Sequence, residues 1–254
     1  MNGLAAFLRK ELRETLYTWR IWVVPGFLVF SALSAPIVTY LMPTLVSRLG
    51  SAQEGFALTV PEPTAIEAYA EYLGNLGELT IFAILIAYGG IVSAELRSGT
   101  AALALAKPLS RPAFVLSKWL SQALVIATAT VVATAACVAV TELLFGSGPA
   151  SATVAASALW IAYALMILAV MVALSVTLRA PAAASGAGIG VYASLVVLAQ
   201  FEVTSRWTPA GLPAAGVAWI RGEPASWGPA LLATALVTGV CLGLALWRFA
   251  RREI

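Results

Sequence analysis

The sequence predicts an all-α polytopic membrane protein of six transmembrane helices, with an amphipathic interfacial helix in front and a short cytoplasmic helix in the middle. Three observations predict it. The 254 residues are 61% hydrophobic and 11% charged, against roughly 25% charged in an ordinary soluble domain. Apolar stretches of span length recur along the chain, each spanning helix needing about 20 apolar residues. The Lys and Arg residues fall on alternate connections, as orientation in a bilayer demands. At this length six or seven crossings fit, and no soluble catalytic domain does.

Residues 1–20 open the chain as an interfacial helix. Leu4, Phe7, Leu8, Leu12, Leu16 and Trp19 share one helical stripe, and Arg9, Lys10, Arg13, Tyr17 and Arg20 occupy the other side, so the basic face suits anionic headgroups. Glu11 and Glu14 in this flank, and Pro36 directly after Ala35, argue against a cleaved signal peptide. Residues 21–254 form the six-span domain. The first span runs about Ile21–Leu41, with Pro25 near its start and Pro36 as a kink that neighbouring helices must compensate. A polar excursion over 42–72 follows, carrying Pro43, Pro61, Pro63, Glu54, Glu62, Glu67 and Glu71, with one short helix near Thr64–Tyr72.

The second span, about Leu76–Val92, leads into the segment 93–112. Phe114–Phe145 is 32 residues without a breaker, roughly 48 Å of helix against a hydrocarbon core of about 30 Å. It must tilt or project, and Ser117, Lys118, Ser121 and Gln122 in its first turns imply projection. The fourth span is about Ser151–Leu178, ahead of Arg179 and a Pro/Ala segment, and the fifth is the short Gly186–Phe201. Residues 202–227 are too broken by Pro and Gly to span, yet hold Trp207, Leu212, Val217, Trp219 and Ile220, which fits an interfacial or re-entrant hairpin on the outer face. The sixth span, about Pro229–Trp247, ends at Arg248, Arg251 and Arg252.

With the N-terminus inside, Arg9, Lys10, Arg13, Arg20, Arg97, Lys107, Arg111, Lys118, Arg179, Arg248, Arg251 and Arg252 are cytoplasmic, which is 12 of the 15 Lys and Arg. Only Arg48, Arg206 and Arg221 are outside. Six spans with both termini cytoplasmic satisfy the positive-inside bias.

Composition also narrows the chemistry. The chain has no His and no Asp, which removes Ser-His-Asp catalysis and most zinc sites. Cys137 and Cys241 lie inside apolar runs and read as buried free thiols rather than a disulfide or metal site. Nothing implies nucleic acid.

Four features carry candidate functions. The segment 93–112 is too short to span and too apolar for a simple loop. It reads as a short helix, with Thr100 as cap after Gly99, Leu103 and Leu105 as apolar contacts and Pro108 as terminator. Such a helix presents a contact surface to a cytoplasmic partner or rests on lipid, and physics alone weighs the two evenly. Gly186-x-x-x-Gly190 is a close-packing site within the subunit or at a dimer interface, with a hinge as the alternative. Thr130, Thr134, Cys137 and Thr141 follow one stripe that either lines a translocation path or packs against another helix. Glu78, Glu142 and Glu202 lie near outer span ends, where they reach water or ring a pore mouth.

The order of elements, together with Glu95-x-x-x-Gly99-Thr100-x-x-Leu103-x-x-x-x-Pro108-x-x-Arg111, the opening Lys10-Glu11-Leu12-Arg13-Glu14 and the basic tail from Arg248 to Glu253, resembles a type-2 ABC transporter permease, the exporter-type six-span membrane subunit. The resemblance covers nearly the whole chain. It implies that residues 93–111 form a coupling helix docking on a separate cytoplasmic ATP-binding subunit, through Glu95, Arg97, Thr100, Leu103, Lys107 and Arg111. It further implies that residues 1–20 form the connecting helix, that residues 202–227 form the outer re-entrant element, and that two permease subunits, identical or different, work with two ATPase subunits in a bacterial cytoplasmic membrane. Thr130, Thr134, Thr141 and Glu142 are the candidate path residues. ATP and magnesium belong to the partner, because this chain has no G-x-x-x-x-G-K-[ST] loop and no Asp to hold the metal; it binds no cofactor of its own and is not an enzyme. The rival readings are a secondary transporter or channel subunit, which calls for charges near the bilayer midplane, and a non-transport membrane scaffold, which needs no ATPase.

Overall fold

The computed structural model describes residues 2–50, 62–101, 106 and 110–252. Helix α1 (Asn2–Leu16) is followed by α2 (Arg20–Gly50). Helix α3 (Ala65–Asn75) continues through a π-helical turn (Leu76–Thr80) into α4 (Ile81–Tyr88), and α5 (Ser93–Ser98) follows a short break. Then come α6 (Arg111–Phe145), α7 (Ala150–Thr177), α8 (Pro181–Ala199), α9 (Glu202–Trp207), a 3-10 turn (Pro209–Gly211), α10 (Leu212–Ile220) and α11 (Trp227–Ala250). Among the described residues there is no strand. Six runs are long and apolar enough to cross a membrane: Ile21–Val46, Ala65–Ser98, Arg111–Phe145, Ala150–Thr177, Pro181–Ala199 and Trp227–Ala250.

Three boundaries differ from those the sequence predicts; the fifth span starts at Pro181 rather than Gly186, because proline fits the first position of a helix. The first span does not end at Leu41; α2 runs on through Pro25, Pro36 and Pro43 as 31 helical residues. The second does not begin at Leu76. The helix expected over Thr64–Tyr72 is its first stretch, started by a capping box in which the Glu67 amide donates to Thr64 Oγ1 at 3.3 Å and the Thr64 amide to Glu67 Oε2 at 3.0 Å. Lipid offers the backbone no substitute partner, so a helix continues through residues that would end it in water.

The π-helical turn has a visible compensation. Tyr192 of α8 donates its hydroxyl to the Gly77 carbonyl at 2.6 Å, and its ring meets Phe82 edge-on with centroids 5.5 Å apart. A carbonyl loosened by the wider turn thus finds a partner. Helix α7 is the most enclosed of the six spans, and α8 and α11 are the least. Around α7 the core closes with Tyr69, Tyr72, Ile84, Leu85, Tyr88, Trp160 and Met171, all fully buried.

At one end of the bundle α9, the 3-10 turn and α10 fold back so that Pro209, Ala210, Gly211, Leu212, Gly216 and Ile220 are buried. Gly216 lies where a Cβ would meet Ala156 Cβ of α7 at 3.3 Å. At the other end the first and last helices, α1 and α11, both reach Phe114. Phe114 of α6 stacks on Phe249 of α11 with centroids 5.3 Å apart, and Phe7 of α1 tilts against Phe114 at 5.7 Å. This aromatic cluster fixes the terminal end, where the candidate site lies.

Candidate functional site

Helix α5 begins where the second span breaks. Residues 89–92 turn, and the amides of Val92 and Ser93 both donate to Ser175 Oγ of α7, at 3.1 and 3.0 Å. One hydroxyl therefore satisfies two donors that the break sets free. Gly89 is required by crowding: a Cβ there would lie 2.0 Å from Ser185 Oγ and 2.7 Å from the Pro181 carbonyl oxygen. The helix stops at Gly99, whose φ of 74° is left-handed, a conformation in which a side chain is strained.

Beside this stub lies a buried charge cluster. Lys118, on the second turn of α6, donates its ammonium to Glu11 Oε2 of α1 at 3.0 Å and to Glu95 Oε1 of α5. The side chains are 3%, 7% and 25% exposed respectively, so water screens little of the attraction. One turn further along α6, Gln122 donates to Thr15 Oγ1 at 2.8 Å, and Thr15 donates to the Glu11 carbonyl at 2.8 Å. The rim is completed by Lys10, which pairs with Glu14 at 2.7 Å and approaches Glu11 at 3.5 Å. Burial acts to lower the Lys10 pKa, but the bond to Glu14 and the charges of Glu11, Glu14 and Glu95 outweigh it and hold the ammonium above its ordinary value. A recess of about 200 Å³ opens on Glu11, Glu95, Lys118 and Gln122.

The arrangement joins α1, α5 and α6 by charge-assisted bonds that cannot slide independently without leaving a buried charge unpaired. The face of α1 that meets α6 carries Phe7, Glu11 and Thr15, while Leu16 and Trp19 are exposed. The predicted apolar stripe is thus only partly the buried one. Gln122, Ser121, Ser117 and Lys118, expected to project into water, are buried against α1 and its neighbours.

The six predicted docking residues are distributed unevenly. Glu95 is engaged by Lys118. Arg97 is exposed. Thr100 is exposed, and its hydroxyl closes the end of α5, lying 2.8 Å from Ser98 Oγ and donating to the Glu95 carbonyl at 3.4 Å. Arg111 donates to the carbonyls of Ala250 and Arg252, at 2.7 and 3.0 Å, and so caps the last span. Leu103 and Lys107 lie outside the described residues, as do Leu105 and Pro108.

Thr130, Thr134, Cys137 and Thr141 are buried. Thr134 Oγ1 shares a 3.0 Å hydrogen bond with Tyr72 OH, Thr130 donates to the Ile126 carbonyl at 2.7 Å, and Cys137 Sγ lies 4.0 Å from Thr141 Oγ1. Glu142 is exposed. Among the glycines of α8, close packing within the chain falls to Gly188, where a Cβ would meet Met171 Sδ at 2.4 Å and Leu85 Cδ2 at 3.1 Å. Gly186 and Gly190 have nothing within 4 Å of an added Cβ; the motif gives the spacing but not the face that packs.

Sequence reasoning missed Glu11, Thr15, Gln122 and Ser175 as partners. Lys118 carries the one available signal, an ammonium one turn inside a predicted span. Its partners are unreadable, since Glu11 is 107 positions away.

A family model described as ABC-2 family transporter protein matches residues 5–208. The chain belongs to this family and is an ABC-2 transporter membrane component, a multi-pass protein of a kind that typically carries no ATPase domain. Over 256 residues it is 24% identical to the uncharacterized transmembrane protein YxlG of Bacillus subtilis (strain 168), an alignment spanning 100% of this chain and 99% of the relative.

Proposed function

We propose that this chain is the permease of an ATP-driven exporter, with both termini cytoplasmic, and that residues 93–112 dock on a separate ATP-binding subunit. The observation that carries the reading is the Glu11–Lys118–Glu95 cluster. It locks the start of the docking segment to α1 and to the third span, the connection through which closure of an ATPase dimer would move the membrane helices. Family membership supports the ATPase partner, and the Lys and Arg distribution supports the orientation.

In this reading Arg97 and Thr100 face the ATPase together with Leu103 and Lys107, while Glu95 and Arg111 hold the docking segment from within the chain. Two ATPase subunits bind ATP and magnesium, and two permeases assemble. The open face of α8 at Gly186 and Gly190 suits the second permease, identical or different, because small residues let helix backbones approach closely. Thr134 and Thr141 pack α6 on Tyr72 and Tyr69 of α3, Thr130 turns its hydroxyl to its own helix, and Glu142 stands at the outer mouth of the path.

The test is to tag the chain, extract native membranes in mild detergent and measure ATP hydrolysis in the purified material, for the wild type and for a chain with residues 95–111 scrambled. An ATP-hydrolysing subunit that accompanies the wild type and is absent from a folded scramble supports the reading. Its absence from the wild type in several detergents would favour a scaffold or an ion-driven transporter.

A further inference from the structure

At the terminal end a recess of about 480 Å³ is lined by Val176, Thr177, Arg179, Trp247, Arg248, Arg251 and Arg252. Four guanidinium groups border it. Arg252 has a structural partner, donating to the Val176 carbonyl at 2.5 Å, and Arg111, outside the lining, donates to the carbonyls of Ala250 and Arg252. Arg179, Arg248 and Arg251 pair with no carboxylate among the described residues. The positive-inside rule accounts for arginines at this end, but it does not require them to converge on one concavity.

The wall of the recess continues into the membrane. Arg251 lies 4.4 Å above the Trp247 ring, a cation–π contact that fixes the guanidinium at the level where Trp marks the membrane–water interface. Below Trp247, at steps of three and four, Leu244, Val240, Leu236 and Leu232 are all exposed. They form one unpartnered apolar stripe down α11, the least enclosed span together with α8. A ligand that matches both parts has an anionic head for the arginines and a hydrocarbon chain for the stripe.

We infer that this recess binds the phosphate headgroup of an anionic phospholipid, with an acyl chain lying along the Leu232–Leu244 face of α11. Phosphate is the shared chemistry of a lipid head and a free phosphate ion, and guanidinium forks suit both. The continuous apolar stripe selects the lipid. Basic recesses between membrane helices recognise such headgroups in this way. The inference does not depend on an ATPase partner.

The experiment uses the purified full-length chain in a zwitterionic detergent and follows lipid retention by native mass spectrometry and thermal unfolding. Phosphatidylglycerol, phosphatidylcholine and inorganic phosphate are added in separate arms. Saturable retention of phosphatidylglycerol, with phosphatidylcholine and phosphate inert, is the expected result. Replacing Arg179, Arg248 and Arg251 by Gln should weaken phosphatidylglycerol binding on the order of a hundredfold, at about fivefold for each charge removed near a membrane surface. The Lys versions should keep most of it and guard against a folding defect. Arg111 and Arg252 are left intact because they hold backbone carbonyls. Equal retention of phosphatidylcholine, stabilisation by phosphate alone, or unchanged lipid binding in the triple Gln variant would overturn the assignment. Loss of a co-purifying ATPase with lipid binding unchanged would do so too, by making the patch a protein-docking surface.

Discussion

Replacing Lys118 by Met tests the charge cluster. In the intact site, unit charges 3.0 Å apart attract by roughly 5–6 kcal/mol at an effective dielectric of about 20. Desolvation of several kcal/mol per ion opposes that gain, so the assembled cluster contributes little net stability. Removing the ammonium changes the balance, because Glu11 keeps its desolvation cost without a counter-charge. Breaking a buried pair in this way costs about 3–5 kcal/mol. Glu95 is a quarter exposed and regains some hydration, which places the expected loss near the lower end, about 3 kcal/mol.

The informative comparison is the neutral triple variant Glu11→Gln, Glu95→Gln, Lys118→Met, expected to recover stability to within about 1 kcal/mol of the wild type because no buried charge remains unpaired. Denaturant or thermal unfolding of the purified chain measures both. A Lys118→Met variant within about 0.5 kcal/mol of wild type, or a triple variant no better than the single, would refute the reasoning. On the proposed function the stable triple variant should still bind the ATPase but lose ATP-driven movement.

Three further outcomes follow from the packing. Gly188→Leu should destabilise by about 1–3 kcal/mol through the clash with Met171 and Leu85, whereas Gly190→Ala, with open space around the new methyl, should leave the monomer unchanged or up to about 1 kcal/mol more stable; unfolding of both variants at a concentration where the chain is monomeric decides it. Ser175→Ala should cost about 1–3 kcal/mol, since the amides of Val92 and Ser93 lose their common acceptor, and faster hydrogen exchange at those two amides is its specific signature. Gly99→Ala should cost about 1–2 kcal/mol because of its positive φ, read from the same unfolding curves.

The number and order of spans are legible in the sequence because a bilayer demands apolar length, and length survives without knowledge of contacts. Boundaries are less legible. Pro43 carries the local chemistry of a loop yet is helical, and the short helix expected after Thr64 is present but, behind its capping box, runs on as the start of the second span. The charge cluster is the least legible feature. Lys118 is visible as a charge inside a predicted span, but only the fold brings Glu11 and Glu95 to it, and α1 buries a face with two polar residues that its apolar stripe does not include. The recess among Arg179, Arg248, Arg251 and Arg252 is half legible: the tail announces its charge, while convergence with Arg179 across 69 positions requires the packing of α11 on α7.

The central claim is that the segment beginning with α5 meets an ATPase on the side of the membrane that holds the termini, and site-directed cross-linking tests it most directly. A photoreactive residue at position 97, exposed and without an ion pair among the described residues, is compared with one at position 223 at the opposite end, in native membranes with and without ATP. The account predicts an adduct with an ATP-binding subunit from position 97 that changes yield with ATP, and none from position 223. No such adduct at 97, or equal adducts at both positions, would contradict it.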